Sequence, residues 1–145
     1  MGKLAVTRIY NPDPRSGPNS LPLFTANVAA GFPSPADDYM DEKLDLNEHL
    51  VSHPAATFFV RVDGDSMTDA GIHSGDLLVV DRALETKHNR IVIAALDGEL
   101  TVKRAVDRNG ALFLKAENPD YEDIRVSPES DLEIWGVVTF VVHAV

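Results

Sequence analysis

Two dipeptides, Asp97-Gly98 and Asn109-Gly110, stand between runs rich in β-branched and apolar residues. Such pairs accept positive φ at both central positions and close two-residue hairpins whose twist matches the flanking strands. They commit the region from Ala56 onward to antiparallel pairing. Phe58 to Val62, Leu77 to Asp81, Arg90 to Leu96, Glu99 to Val106, Ala111 to Lys115 and Leu132 to Val142 read as six short strands at close spacing. The expected fold is mainly β, an antiparallel and distorted β-barrel-like domain.

The segment from Met1 to Ala30 differs in kind. It holds four of the nine prolines, Pro12, Pro14, Pro18 and Pro22. Proline removes a ladder donor and fixes φ, so this segment is expected to be a flexible, extended arm rather than a long helix or a central strand. Residues 31–55 read as loop, except that Asp45 to Val51 has the pattern of a short helix capped by Asp45. The expected organisation is an arm over residues 1–30 and one β-rich body over 31–145.

A length of 145 residues fits one domain with a sizeable core. There is no cysteine, which excludes disulfides, thiolate metal sites and cysteine nucleophiles. The net charge of −10 is unevenly spread. The segment up to Ala30 carries three basic groups against one acidic, and the remainder ten against twenty-two. A body this acidic repels phosphate backbones, so no direct nucleic-acid binding is expected. The charge suits solubility or a basic protein partner. No apolar run of membrane-spanning length occurs, and the Ala29-Ala30 pair lacks the apolar stretch a signal peptide needs upstream. The expected location is the cytoplasm, with no membrane association.

Ser66, within Asp63-Gly64-Asp65-Ser66-Met67, follows the first of these strands. Glycine, aspartate and serine are ordinary turn residues, but a serine at a strand end can also be an exposed nucleophile. Lys103 is a candidate base. Alternation along Glu99 to Val106 puts Thr101, Lys103 and Ala105 on one face and Leu100, Val102, Arg104 and Val106 on the other. On a solvated face Lys103 stays charged. An ordinary lysine, near ~10.4, costs about 4.6 kcal/mol to hold neutral at pH 7. Closure of a cleft over it supplies effects of that order, and a neutral lysine can take the proton of a serine hydroxyl.

His49, His53, His73, His88 and His143 are competing bases, since a triad is defined by geometry rather than sequence order. None lies in a catalytic motif. His49 and His53 have helical metal-ligand spacing, but Leu50 stands where a zinc-protease motif needs Glu, and Pro54 ends any helix. No metal and no cofactor is expected. There is no glycine-rich phosphate loop.

Ala30-Gly31, Gly64-Asp65-Ser66-Met67, Gly75-Asp76-Leu77-Leu78-Val79-Val80-Asp81 and Thr101-Val102-Lys103-Arg104 together resemble the self-cleaving Ser-Lys peptidases of the LexA/UmuD family. The stretch from Ala30 to Tyr39, with Leu44-Asp45-Leu46-Asn47, resembles the UmuD-type SOS mutagenesis proteins rather than the repressors. The likeness runs from about Leu21 to Val142. The segment ahead of the Ala30-Gly31 bond is too short and too proline-rich for a helix-turn-helix domain.

The resemblance implies a peptidase domain of the LexA/UmuD C-terminal type. It implies Ser66 as nucleophile, Lys103 as general base and Ala30-Gly31 as the scissile bond. The chemistry of the residues agrees: a small residue before the bond suits a narrow pocket, and glycine after it lets the backbone kink. The backbone N–H groups of Ser66 and Met67 are candidate oxyanion donors. The resemblance further implies a homodimer and cleavage stimulated by a RecA filament on single-stranded DNA in the SOS response to DNA damage. The shortened product would then join a UmuC-like Y-family polymerase for error-prone translesion synthesis. The alternative is a non-catalytic dimeric polymerase-accessory module with a vestigial Ser-Lys pair.

Overall fold

The hairpin dipeptides turn the chain as their chemistry demands. Asp97 and Gly98 have φ of 49° and 86°, and Asn109 and Gly110 have 53° and 86°. A computed structural model describes residues 4–12, 20–24 and 40–145 of the chain. In chain order the strands are β1 (Ala5–Tyr10), β2 (Ser20–Phe24), β3 (Met40–Asp45), β4 (Thr57–Asp63), β5 (Leu77–Asp81), β6 (Ile91–Leu96), β7 (Glu99–Arg108), β8 (Ala111–Lys115), β9 (Ile124–Arg125) and β10 (Leu132–Val142). One short helix, α1 (Leu46–Leu50), follows β3. The chain divides into two units, residues 1–12 with 53–145 and residues 13–52.

In the first unit six antiparallel strands close a barrel in the order β1, β4, β5, β10, β6, β7. A single rung between Ala5 of β1 and Thr101 of β7 completes the ring. Closure gives each of the six ring strands a neighbour on both sides. The fold is thus the mainly β barrel that the strand pattern predicts. β7 is long enough to serve two partners. Its first part pairs with β6, from Leu96↔Glu99 to Ile91↔Arg104, and its second with β8, from Arg104↔Lys115 to Arg108↔Ala111. β8 and β9 therefore continue the sheet outside the ring.

Side-chain alternation sorts the apolar residues into two clusters. Phe58, Val60 and Val62 of β4, Leu78 and Val80 of β5, Ile93 of β6 and Val102 of β7 form the main core. Val92 and Ala94 of β6, Ala105 of β7, Leu114 of β8 and Val137 of β10 form a second. β10 crosses β5 so closely at Gly136 that a Cβ there would lie 2.7 Å from Val80 Cγ1 and 3.1 Å from the Asp81 carbonyl oxygen.

In the second unit β2 and β3 pair antiparallel, from Ser20↔Asp45 to Phe24↔Met40. Asp45 caps α1 as expected, its Oδ1 accepting from the Asn47 N–H at 2.9 Å.

Two features depart from the sequence reading. Residues 20–24, read as arm, and 40–44, read as loop, lie in strands. Residues 5–10, read as part of an extended arm, form a barrel strand with partners on both sides. No proline precedes Pro12, so β1 keeps all its ladder donors. Proline content averaged over the whole segment conceals a proline-free start.

Candidate active site

β4 ends at Asp63, and Gly64, with φ 109°, redirects the chain. Its N–H is held by Asp63 Oδ1 and by Ser74 Oγ, at 3.0 and 3.3 Å. The fully buried Met67 side chain joins the main core and anchors the loop. The Met67 carbonyl accepts from the N–H groups of Ala70 and Ile72, at 3.1 and 3.2 Å. A single 3-10 turn over Thr68–Ala70 then closes on Gly71, whose φ of 80° favours glycine. Ser66 is held just before this turn, with no exposed surface.

Lys103 reaches Ser66 from β7. It pairs across from Val92, on the strand face that carries Ala105 and, two rungs along, Thr101 opposite Ala94. This face is not solvated. Lys103 is only 3% exposed, and its cross-strand partner Val92 belongs to the second apolar cluster together with Ala105. Lys103 Nζ donates to Ser66 Oγ at 3.0 Å. The backbone N–H of Leu4 donates to the same oxygen at 3.1 Å. The two residues singled out from strand alternation and turn chemistry, 37 positions apart, are thus in direct contact.

No histidine is among the described hydrogen-bond partners of Ser66 Oγ. His53 Nδ1 lies 2.6 Å from Asp81 Oδ2, and His143 Nδ1 lies 2.6 Å from Asp76 Oδ1. His88 Nδ1 accepts from the Asp107 N–H at 2.9 Å. His49 and His53 do not share a helix, because α1 stops at Leu50. Among the described residues the grouping with metal-ligand composition is instead His73, Asp76 and His143. Their ligand atoms lie within 4.8 Å of one another. Ala30 and Gly31 lie outside the described residues.

Sequence reasoning missed a clamp on the serine loop. Asn118 Nδ2 donates to the Asp65 carbonyl at 2.8 Å, and Tyr121 Oη donates to Asp65 Oδ1 at 2.5 Å. The Glu117 carbonyl accepts from the Asp69 N–H at 2.8 Å, and the Glu117 N–H points at Met67 Sδ at 3.4 Å. Glu117 is itself paired with Arg104, the neighbour of Lys103 on β7. The Asp65 carboxylate holding the phenolic proton raises the Tyr121 pKa above its usual value, with desolvation adding to it. The signal available in the sequence was Asn118-Pro119-Asp120, a turn signature in which Asn118 Oδ1 accepts from the Asp120 N–H at 2.9 Å.

Among the described residues no helix is long and apolar enough to cross a membrane.

Residues 22–139 match the family described as Peptidase S24-like. The chain is 49% identical over 140 residues to Protein ImpA of Salmonella typhimurium, covering 94% of each chain. It is 43% identical over 132 residues to Protein MucA of Escherichia coli, covering 90% of each. It is 39% identical over 131 residues to a LexA repressor of Paracidovorax citrulli, covering 90% of this chain but 58% of the repressor. The matched region spans the serine loop, β7 and the clamp, and on that footing the chain belongs to the Peptidase S24-like family as one of its UmuD-like members.

Proposed function

We propose that the protein is a self-cleaving serine peptidase of the SOS response, with Ser66 as nucleophile and Lys103 as general base. The observation that carries the reading is the 3.0 Å contact between Lys103 Nζ and Ser66 Oγ, with both residues removed from water. Loss of water penalises a charged amine, and a neutral amine in that position accepts the serine proton.

On this reading the reaction runs as follows. Lys103 takes the proton of Ser66 Oγ as the oxygen attacks the carbonyl carbon of Ala30. The N–H groups of Ser66 and Met67 hold the oxyanion of the tetrahedral intermediate. The Ala30-Gly31 C–N bond breaks, and the Gly31 amine leaves with the proton from Lys103. Water, activated by the same lysine, then hydrolyses the Ala30–Ser66 ester. This removes residues 1–30 and leaves 31–145. On this reading a RecA filament on single-stranded DNA stimulates the step, and the shortened form joins a UmuC-like polymerase for translesion synthesis. Family membership supports this setting. Homodimerisation is supported by β10, whose Val141 and Val142 are 36% and 44% exposed, beyond the last β6 rung at Val137.

The test is the first-order loss of residues 1–30 by mass spectrometry, across pH ~6 to ~11, a window that brackets the reference values of histidine and lysine. A lysine base gives a rate that climbs with pH until the lysine is largely neutral, whereas an ordinary histidine levels off near ~6.5. A neutral-pH plateau that survives in Lys103→Arg removes the lysine from the mechanism. No cleavage under any condition, with or without a RecA filament, leaves the non-catalytic accessory module as the better reading.

A further inference from the structure

The N-terminal strand occupies a place that the proposed reaction needs. Ala5 is paired with Asp63 on β4 and with Thr101 on β7, so β1 fills the seam between these strands beside the serine loop. Leu4, just before it, is completely buried and packs in the main core with Met67. Its N–H donates to Ser66 Oγ at 3.1 Å. A scissile carbonyl must come within ~3–3.5 Å of that oxygen to react, and the Leu4 amide already stands at this distance. The Leu4 N–H takes one of the two lone pairs of Ser66 Oγ and Lys103 Nζ the other, so the oxygen is occupied as an acceptor while Leu4 is in place.

The attachment of β1 is also unlike that of the other barrel strands. Four of its six residues, Ala5, Thr7, Arg8 and Ile9, are exposed, whereas β4 and β5 bury most of theirs. Leu4 is the deep anchor; the rest of the hold is mostly backbone ladder. The seat is imperfectly filled as well. Thr101 Oγ1 is buried without a hydrogen-bond partner among the described residues, and the residue across from it is Ala5, which offers no polar side chain.

We propose that the β4–β7 seam beside Ser66 is a strand-accepting site for an extended peptide with an aliphatic anchor. In the uncleaved chain its occupant is the chain's own N-terminal segment, Leu4 with β1, which masks the nucleophile. The inference rests on the reading of Ser66 as the nucleophile. It makes withdrawal of β1 a condition for attack on any other segment. It also predicts that the seat empties when residues 1–30 are cut away and diffuse off.

The experiment uses the full-length chain, which has no cysteine of its own. Val6 and Val62 are direct cross-strand partners of β1 and β4, so Val6→Cys with Val62→Cys allows β1 to be locked by oxidation and freed by reductant. The oxidised form is expected to cleave at least tenfold more slowly than the same protein after reduction. Leu4→Asp, which places a carboxylate in the anchor pocket, is expected to cleave at least threefold faster than wild type. Equal rates for the locked and reduced forms would overturn the proposal, whatever the fate of Leu4→Asp.

A second readout does not depend on cleavage. In a Lys103→Met background, which keeps the Ser66 hydroxyl, amide hydrogen exchange in Ala5–Tyr10 should be slowed by pairing and should speed at least tenfold when Leu4→Asp is added. Unprotected β1 amides in the Lys103→Met chain would equally overturn the proposal. Absence of cleavage in every form, with β1 still protected, would instead count against the self-cleavage reading and leave the strand seat standing.

Discussion

The two ends of the chain meet the barrel in opposite ways. β1 enters with a buried anchor and then lies across the surface, its side chains mostly exposed. β10 begins on β6, buries Gly136 and Val137 where it passes from β6 to β5, and then runs along β5 to the exposed Val141 and Val142. One end is held by a ladder and a single deep side chain. The other is wedged through the middle of the sheet. Strands that look alike as hydrogen-bond ladders can therefore differ in whether they are part of the frame or a detachable occupant of it. The difference lies in how much apolar side chain each one buries.

The largest effect expected concerns what β1 covers. Ser66→Ala should abolish loss of residues 1–30 and leave the fold unchanged, since only an oxygen is removed. Lys103→Arg should abolish it as well, because a guanidinium stays charged and cannot accept the proton. Mass spectrometry after prolonged incubation, with circular dichroism for the fold, checks both. Residual processing in Ser66→Ala at the wild-type rate would remove the reason for treating β1 as a mask.

The next effect tests whether β10 is frame. Gly136→Ala forces a methyl against Val80 and the Asp81 backbone, and overpacking of this kind costs about 1–3 kcal/mol. Denaturant unfolding should show that loss. Thr7→Ala, on the exposed side of β1, should stay within about 0.5 kcal/mol of wild type. Equal losses at both positions would erase the contrast between the two ends.

A smaller effect is expected beyond the crossing. Val142→Glu puts a charge on the exposed end of β10 and should weaken self-association by about tenfold, or about 1.4 kcal/mol, without changing monomer stability. Sedimentation across a concentration series reads this directly. An unchanged dissociation constant would move the dimer contact away from β10.

The smallest concerns the clamp. The Tyr121 pKa is raised in the folded chain, so the folded state favours the protonated phenol. Its contribution is complete below the ordinary tyrosine value of ~10 and fades as pH rises through the raised value. Tyr121→Phe should slow cleavage a few-fold at pH 8 by loosening Asp65, and should remove any further decline seen above about pH 10. A pH–rate curve for the variant that keeps that decline would assign it elsewhere.

Much of this is legible in the sequence, for identifiable reasons. The strands from residue 57 onward and the two hairpin turns follow from period-two alternation and from glycine chemistry, both local signals. Lys103 and Ser66 each stand out locally, and the family resemblance joins them. The rest is hidden because it depends on pairing between distant segments. Nothing in Ala5–Tyr10 states that its partners lie at residues 59–63 and at Thr101. β2 and β3 are obscured by Pro22 and by the charges of β3, and they find a ladder only in each other. The clamp of Asn118 and Tyr121 on Asp65 joins positions 53 and 56 apart in the chain. Lys103 looks solvated because nothing in β7 announces that its cross-strand partner Val92 belongs to a buried apolar cluster.

The register of β7 bears on how such a chain can change over evolutionary time. Lys103 lies between the Asp97-Gly98 hairpin and Arg104, where β7 is shared between β6 and β8. Substitutions leave its phase alone. A one-residue insertion or deletion between Gly98 and Lys103 reverses the facing of the residues beyond it. It would aim the amine into the barrel core and hand Val102 or Arg104 to the serine. Keeping the Lys103–Ser66 contact therefore fixes the length of this stretch, and drift in length belongs to loops such as residues 82–90 that the contact does not count from.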